Sequence, residues 1–407
     1  MLYELYELQK KAMAQASAFA SAGSSLWLNP LNPLAYTNAG NMVAAALDVF
    51  AHTTKPYGKP KFGLDETIIY GKPVAVHEEI VKRLPFGQLK RFRRDTDRQD
   101  PKLLIVAPMS GHFATLLRGT VREMLPDHDV YITDWRDAKL VPQSDGRFDL
   151  DDYIDYLIYF LSEIGEGAHV IAVCQPSVPA MAAVSLMASC EHPATPRSLI
   201  MMGGPIDTRQ NPTAVNQLAQ NRPLPWFEQN VVATVPAPHR GAGRRVYPGF
   251  LQLAGFMSMN LGDHLMSHWE MFNHLVEGDG ESAEAKKKFY EEYRSVADMT
   301  AEFYLQTVET VFQTHALPKG EMLYRGKQAV TPSKITDTAL MAVEGEKDDI
   351  SGIGQTKAAL TLASGLTEAK KKYLLVEGVG HFGIFNGRAW RERVTPAVKD
   401  WIATHNG

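Results

Sequence analysis

The stretch HVIAVCQPSVPA, residues 169–180, decides how the chain is read. An apolar run ends at Cys174, Gln175 and Pro176 follow, and a small-residue helix pattern begins. Strand, sharp turn and helix are the context of a nucleophile elbow, whose usual form is G-x-S-x-G. The serine and both glycines are missing here. Ala172 carries the smallest side chain with a Cβ, and Pro176 suits the first turn of a helix, where its absent N–H costs little. Ala180, Ala182, Ala183 and Ser185 keep that helix thin. A cysteine at a helix N-terminus feels a partial positive charge that favours thiolate. A buried structural thiol accounts for the same window, because free cysteine is among the most buried residue types. The window alone leaves both readings open.

The rest of the chain tips the balance. An elbow nucleophile is followed in chain order by an acid and then a histidine. After the strand pattern TALMAVEG comes Glu344-Gly345-Glu346-Lys347-Asp348-Asp349, where the G-x-x-D spacing selects Asp348 over its neighbour Asp349. After the last strand pattern, His381 sits between glycines in EGVGHFGIFNG, the tight loop an exposed imidazole needs. Cys174, Asp348 and His381 each fall at the carboxyl end of a predicted strand, where open α/β sheets build their sites. The backbone N–H groups of Gln175 and of Met109 or Ser110, in LLIVAPMSGHF, are candidates for an oxyanion hole. His112 lies next to them and precedes the nucleophile in the chain, so it is assigned to loop structure or substrate contact.

Short apolar runs at 102–111, 128–135, 168–174, 197–207, 338–349 and 371–382 alternate with helix-length segments. Runs of this kind are buried on both faces and belong to a parallel sheet, so the fold class is α/β with a mainly parallel central sheet. Residues 66–95 suggest edge strands or hairpins. Between 208 and 337 no buried strand is evident while aromatics and methionines are frequent, and this is too long for a simple connection. Four parts result: a helical N-terminal extension (1–60), a first core part (61–207), a mostly helical cap (208–337) and a second core part (338–407). Leu2, Tyr3, Leu5, Tyr6, Leu8 and Met13 form an apolar stripe on the extension, read as a helix docked on the protein's own body, with a surface-binding amphipathic helix as the alternative.

Composition bounds the rest. The chain has 407 residues, is 45% hydrophobic and carries a formal charge of −4, which argues neither for nucleic acid nor for a strongly acidic partner, so no nucleic acid is expected. The basic run at 82–98 is interrupted by acids and reads as a solvated sheet face. Two cysteines, Cys174 and Cys190, do not make a disulfide framework and suggest a reducing, cytoplasmic setting. No secretory h-region and no membrane-spanning run is found. His264, His268 and His274 have partial metal-ligand spacing, but the H-E-x-x-H glutamate is missing, so no metal is expected.

The motifs MLYELYELQKKAM, DWRDA, VCQPSVP, GGPID, YPGFLQLAGFMSMN, EGEKDDI and GVGHFGIFNG together resemble an intracellular polyhydroxyalkanoate (polyhydroxybutyrate) depolymerase. The resemblance runs along the whole chain. It implies an α/β-hydrolase, with Cys174 as nucleophile in place of the lipase serine, Asp348 as acid and His381 as base. It further implies stored polyester granules in the bacterial cytoplasm as substrate and partner, and no required cofactor. A thioester intermediate is also open to coenzyme A as acyl acceptor. His112, Trp226, Phe250 and Phe256 are candidates for contact with a greasy polymer chain, and a homo-oligomer is compatible with the sequence. The rivals are a polyhydroxyalkanoate synthase-like acyltransferase, which typically keeps G-x-C-x-G, a non-catalytic granule coat protein, and a small-molecule thiol hydrolase of the dienelactone type.

Overall fold

The computed structural model describes residues 2–259, 272–273, 275–276, 287 and 290–407. Its centre is a nine-stranded sheet. Three strands come first, β1 (Glu66–Ile69), β2 (Lys72–Arg83) and β3 (Gly87–Arg94), paired antiparallel. The remaining six are β4 (Lys102–Val106), β5 (Asp129–Trp135), β6 (His169–Val173), β7 (Ser198–Met202), β13 (Ala339–Gly345) and β14 (Lys371–Val376). The order across the sheet is β1-β2-β3-β5-β4-β6-β7-β13-β14, parallel from β5 onward. One antiparallel hairpin edge followed by a parallel sheet whose order reverses once at β4 and β5 is the α/β-hydrolase arrangement. Every residue of β6, β7 and β13 is buried, which is why these strands read as unbroken apolar runs.

The helices arise from local signals. Between β4 and β5 lies α3 (Arg118–Met124). The next, α4 (Leu150–Ile164), opens on an Asp149 capping box closed by Asp152 and stops at Gly165, whose φ is 81°. After the elbow, α5 (Ser177–Ser189) is buried over its first eleven residues, and its alanines let it lie close to both the sheet and α4. The basic run is neutralised on the sheet face, where Arg91 pairs with Asp129, Arg93 with Glu79 and Lys90 with Glu78.

The segment between β7 and β13 holds α6 (Ala214–Asn221), α7 (Leu224–Asn230) and α8 (Gly249–Met259). It also holds strands. Beside these helices stand a three-stranded sheet of β8 (Ala233–Thr234), β9 (Arg245–Tyr247) and β10 (Met299–Thr300), and a hairpin of β11 (Leu323–Tyr324) with β12 (Gln328–Ala329). At two or three residues each, these strands are too short to show a period. His264, His268 and His274 lie outside the described residues.

The N-terminal extension is a helical hairpin of α1 (Leu2–Trp27) and α2 (Asn38–Thr54). The helices are knitted by small residues: Ser17 Oγ donates to the Ala51 carbonyl and Ser24 Oγ to that of Ala44. The first turn docks on the cap. Tyr3 OH donates to Asp298, whose other oxygen accepts the Gly249 N–H at 2.9 Å, and Tyr6 stacks on Phe250 at 3.9 Å. Burial, aided by the charge of Asp137, pushes the Asp298 carboxyl up to about 6. The expected apolar stripe therefore divides. Tyr3 turns inward, while Leu5 and Leu8 remain 60% and 66% exposed on the outer face.

Four buried histidines make stability pH-dependent. Desolvation holds His52, His112, His128 and His169 down at about 4, below the histidine range of an unfolded chain. A lowered folded value means that the neutral rings contribute fully above about pH 6.5, and that contribution is lost as pH falls toward 4. We expect the urea midpoint to fall steadily from pH 6.5 to 4, with unfolding at pH 5 taking up about three protons. A midpoint unchanged between pH 7 and 5 would refute this account.

Candidate active site

The nucleophile candidate sits where the backbone is strained. Cys174 follows β6 directly and has φ of 67°, a left-handed conformation that a non-glycine residue adopts at a cost of about 1–3 kcal/mol. The turn is pinned on both sides: the Cys174 N–H donates to the Met202 carbonyl at 2.7 Å, and the Cys174 carbonyl accepts the Ser177 N–H at 3.0 Å. Pro176, in helical conformation, caps α5. The missing glycines are thus replaced by Ala172, buried at the end of β6, and by a pre-set Pro176. The space that close packing demands comes instead from Gly204, in the loop after β7, where a Cβ would lie 2.0 Å from Ser177 Oγ.

Asp348 and His381 converge on this turn. The buried Asp348 carboxylate accepts the N–H groups of Ile350 and Ser351 through Oδ1, at 2.9 and 2.8 Å. Its Oδ2 lies 2.7 Å from His381 Nδ1. Asp349 is exposed and takes no part in this contact. Because a carboxylate only accepts, Nδ1 carries the proton, and Nε2 is the nitrogen left for the Cys174 sulfur, which borders the same cavity as the ring. Burial works against a charged His381 ring, but the Cys174 and Asp348 charges outweigh it and hold its pKa well above the usual histidine range. Gly203, with φ of 58°, lies beneath the ring: a Cβ there would sit 3.0 Å from His381 Cε1. Sequence reasoning passed over Gly203 and Gly204, and their only trace was a Gly-Gly pair directly after a buried strand.

These residues open into a cavity of about 420 Å³ with mainly apolar walls, among them Leu116, Phe227, Tyr247, Phe303 and Tyr304. Met109, Ser110 and Gln175 line its floor, and the Met109 N–H donates to Gln175 Oε1 at 3.3 Å. His112 also lines it, buried, with Nε2 3.0 Å from the Tyr293 carbonyl. Two expected contact residues are elsewhere. Trp226 is not on the cavity wall; its helical neighbour Phe227, about 100° around α7, takes that place. Phe250 faces the N-terminal helix, while Gln252 and Gly255, at i and i+3 on α8, face the cavity. The side chain of Phe256 lies outside the described residues. Among the described residues, no group of three or more His, Cys, Asp or Glu is arranged to hold a metal ion, and no helix is long and apolar enough to cross a membrane.

Residues 203–406, half of the chain, match the family model described as the C-terminus of PHB de-polymerase. The chain belongs to the polyhydroxybutyrate depolymerase family. It is accordingly a hydrolase on an α/β-hydrolase fold. The matched residues include Asp348 and His381 and begin after Cys174. No curated protein sequence matches the chain. Among solved structures, it is similar to DcsB in complex with its substrate analogue (15% identity, 81% of this chain and 99% of that one, TM-score 0.48). It is also similar to a thermophilic esterase from Thermogutta terrifontis with malate bound (12%, 82% and 99%, TM-score 0.41). A third is the thioesterase domain from the curacin biosynthetic pathway (12%, 81% and 99%, TM-score 0.42). These likenesses are distant, and the fold rests on the strand order of the central sheet.

Proposed function

We propose that this depolymerase hydrolyses stored poly-3-hydroxybutyrate through a thioester formed on Cys174. The observation that carries the reading is the strained Cys174, which shares one mainly apolar cavity with the imidazole that Asp348 orients. His381 Nε2 takes the thiol proton, and Sγ attacks the ester carbonyl. The oxyanion is held by the N–H groups of Gln175 and Met109, and the Met109 N–H already points toward the elbow. As the C–O bond breaks, the 3-hydroxyl of the departing repeat receives the proton from His381. Water activated by His381 then cleaves the thioester and releases 3-hydroxybutyrate or a short oligomer. Coenzyme A can replace that water, giving a hydroxyacyl thioester.

The substrate is a solid, and the N-terminal hairpin offers it a surface. Phe19 is 80% and Leu31 is 91% exposed, and Leu5, Leu8, Leu26 and Leu28 are exposed with them, a density that soluble surfaces rarely carry without a partner. We assign this outer face to the granule, with the inner face held by Tyr3 and Tyr6. Both cysteines are free, in keeping with a cytoplasmic store.

The test is incubation with amorphous polyhydroxybutyrate granules, with and without coenzyme A, followed by product mass analysis. Free acid or oligomer supports a depolymerase, and hydroxyacyl-coenzyme A identifies the second acceptor. Polymer growth from hydroxyacyl-coenzyme A would replace the reading with a synthase-like one, and no turnover at all would leave a coat protein. In the same assay, changing Leu5, Leu8 and Phe19 to serine is expected to reduce granule sedimentation several-fold while a soluble trimer is cleaved at the normal rate. Equal loss of both would sink the granule-face assignment.

A further inference from the structure

The Gln175 side chain is placed in a way that the catalytic steps do not explain, and its significance depends on Cys174 being the nucleophile. Its Oε1 accepts the Met109 N–H at 3.3 Å. Its Nε2 is buried and has no hydrogen-bond partner among the described residues. The amide cannot be turned round, because Nε2 would then meet the Met109 N–H, donor against donor. Gln175 thus commits one end to a long hydrogen bond and leaves the other, buried end with no partner among the described residues. A buried unpaired donor is costly, so this is a weak hold on a crowded position.

The donor it occupies is the one the chemistry needs. The Met109 N–H is one of the two donors that an oxyanion on the acylated Cys174 requires, and in the resting protein Gln175 Oε1 takes it up. We propose that the Gln175 side chain is a plug: its amide oxygen stands in for the substrate oxygen, and the substrate must displace it before Met109 can stabilise the oxyanion. Displacement is easy because leaving frees Nε2 from its unpaired position. The plug keeps the donor from trapping a water or small anion. It also biases the site toward substrates that the apolar walls hold firmly enough to push the amide aside. Gln175 is by this account a positioning residue, which acts by vacating the oxyanion site.

Butanal tests this directly. Addition of Cys174 Sγ to the aldehyde carbon forms an S–C bond, the thiol proton passes to the carbonyl oxygen, and the resulting hemithioacetal places that oxygen at the oxyanion donors. Alkylation of Cys174 by iodoacetamide forms an S–C bond with loss of iodide and reports thiol reactivity separately. In Gln175→Ala, the butanal dissociation constant divided by that for the wild type is expected to fall about twofold to tenfold after correction for the alkylation rate. Gln175→Asn, too short to reach the Met109 N–H, is expected to do the same and covers the case in which the alanine variant fails to fold. A constant that stays unchanged or rises in both variants overturns the plug while leaving Cys174 reactive. If neither reagent reacts at Cys174 in the wild type, the nucleophile assignment falls and the plug falls with it.

Discussion

Replacing Cys174 with alanine is expected to lower the turnover of a soluble 3-hydroxybutyrate oligomer by about 10³-fold or more while the fold survives. Alanine keeps the Cβ, so the positive φ of 67° is no harder to hold than before. The turn's fastenings, the N–H of residue 174 on Met202 and the Ser177 N–H on the carbonyl of residue 174, are made by backbone and remain. What is lost is one sulfur packed at the edge of the core, which costs on the order of 1 kcal/mol. His381 and Asp348 stay paired, and the backbone donors still bind a polarised carbonyl, so a small residual rate is expected. Kinetics with the oligomer, a urea midpoint, and mass analysis for an acyl adduct on residue 174 check the three parts. A variant that turns over within tenfold of the wild type would remove Cys174 from the mechanism.

How far such a site can be read from sequence depends on what each signal requires. β4, β6, β7 and β13 were legible because strands buried on both faces cannot avoid unbroken apolar runs. The chain order Cys174, Asp348, His381 was legible because each residue follows a strand of the parallel sheet, Cys174 directly after β6 and the other two in the loops after β13 and β14. The choice of Asp348 over Asp349 came from spacing alone, and the fold supplies the reason: two backbone N–H groups clamp the first, and the second is exposed. The cavity wall was not legible. Which aromatic of a helix faces a substrate turns on rotation by one residue, and composition does not record it, so Trp226 and Phe250 were preferred where Phe227 and Tyr247 line the cavity. Gly203 and Gly204 were illegible for a different reason. Their importance lies in contacts with His381 and Ser177, which are distant in the chain and appear only once the sheet has formed. The same holds for the N-terminal stripe, whose two tyrosines found partners on the cap while its leucines stay exposed.

Asp348→Asn is the sharper test of how the three groups cooperate, because its effect comes from counting donors. The native carboxylate accepts at both oxygens: Oδ1 from the Ile350 and Ser351 N–H groups, Oδ2 from His381 Nδ1. Asparagine has one acceptor oxygen and one NH₂ group that only donates. If its oxygen keeps the two N–H groups, the NH₂ faces His381 and forces Nδ1 to be the acceptor. The imidazole proton then moves to Nε2, and the nitrogen that should take the Cys174 proton already carries one. The flipped amide is worse, since it sets the NH₂ against two buried N–H groups. Either way the ring also loses the carboxylate that helps raise its pKa. We expect kcat to fall about 10³- to 10⁴-fold with KM changed little, since Asp348 is buried behind the imidazole and away from the cavity wall. Iodoacetamide should alkylate Cys174 more slowly in this variant at neutral pH, because no free Nε2 lone pair is left to take the thiol proton. Asp349→Asn, made alongside, should stay within about twofold of the wild type, as exposed substitutions away from a site generally do. A kcat for Asp348→Asn within tenfold of the wild type would mean that another group orients His381, and the buried 2.7 Å contact would then be structural.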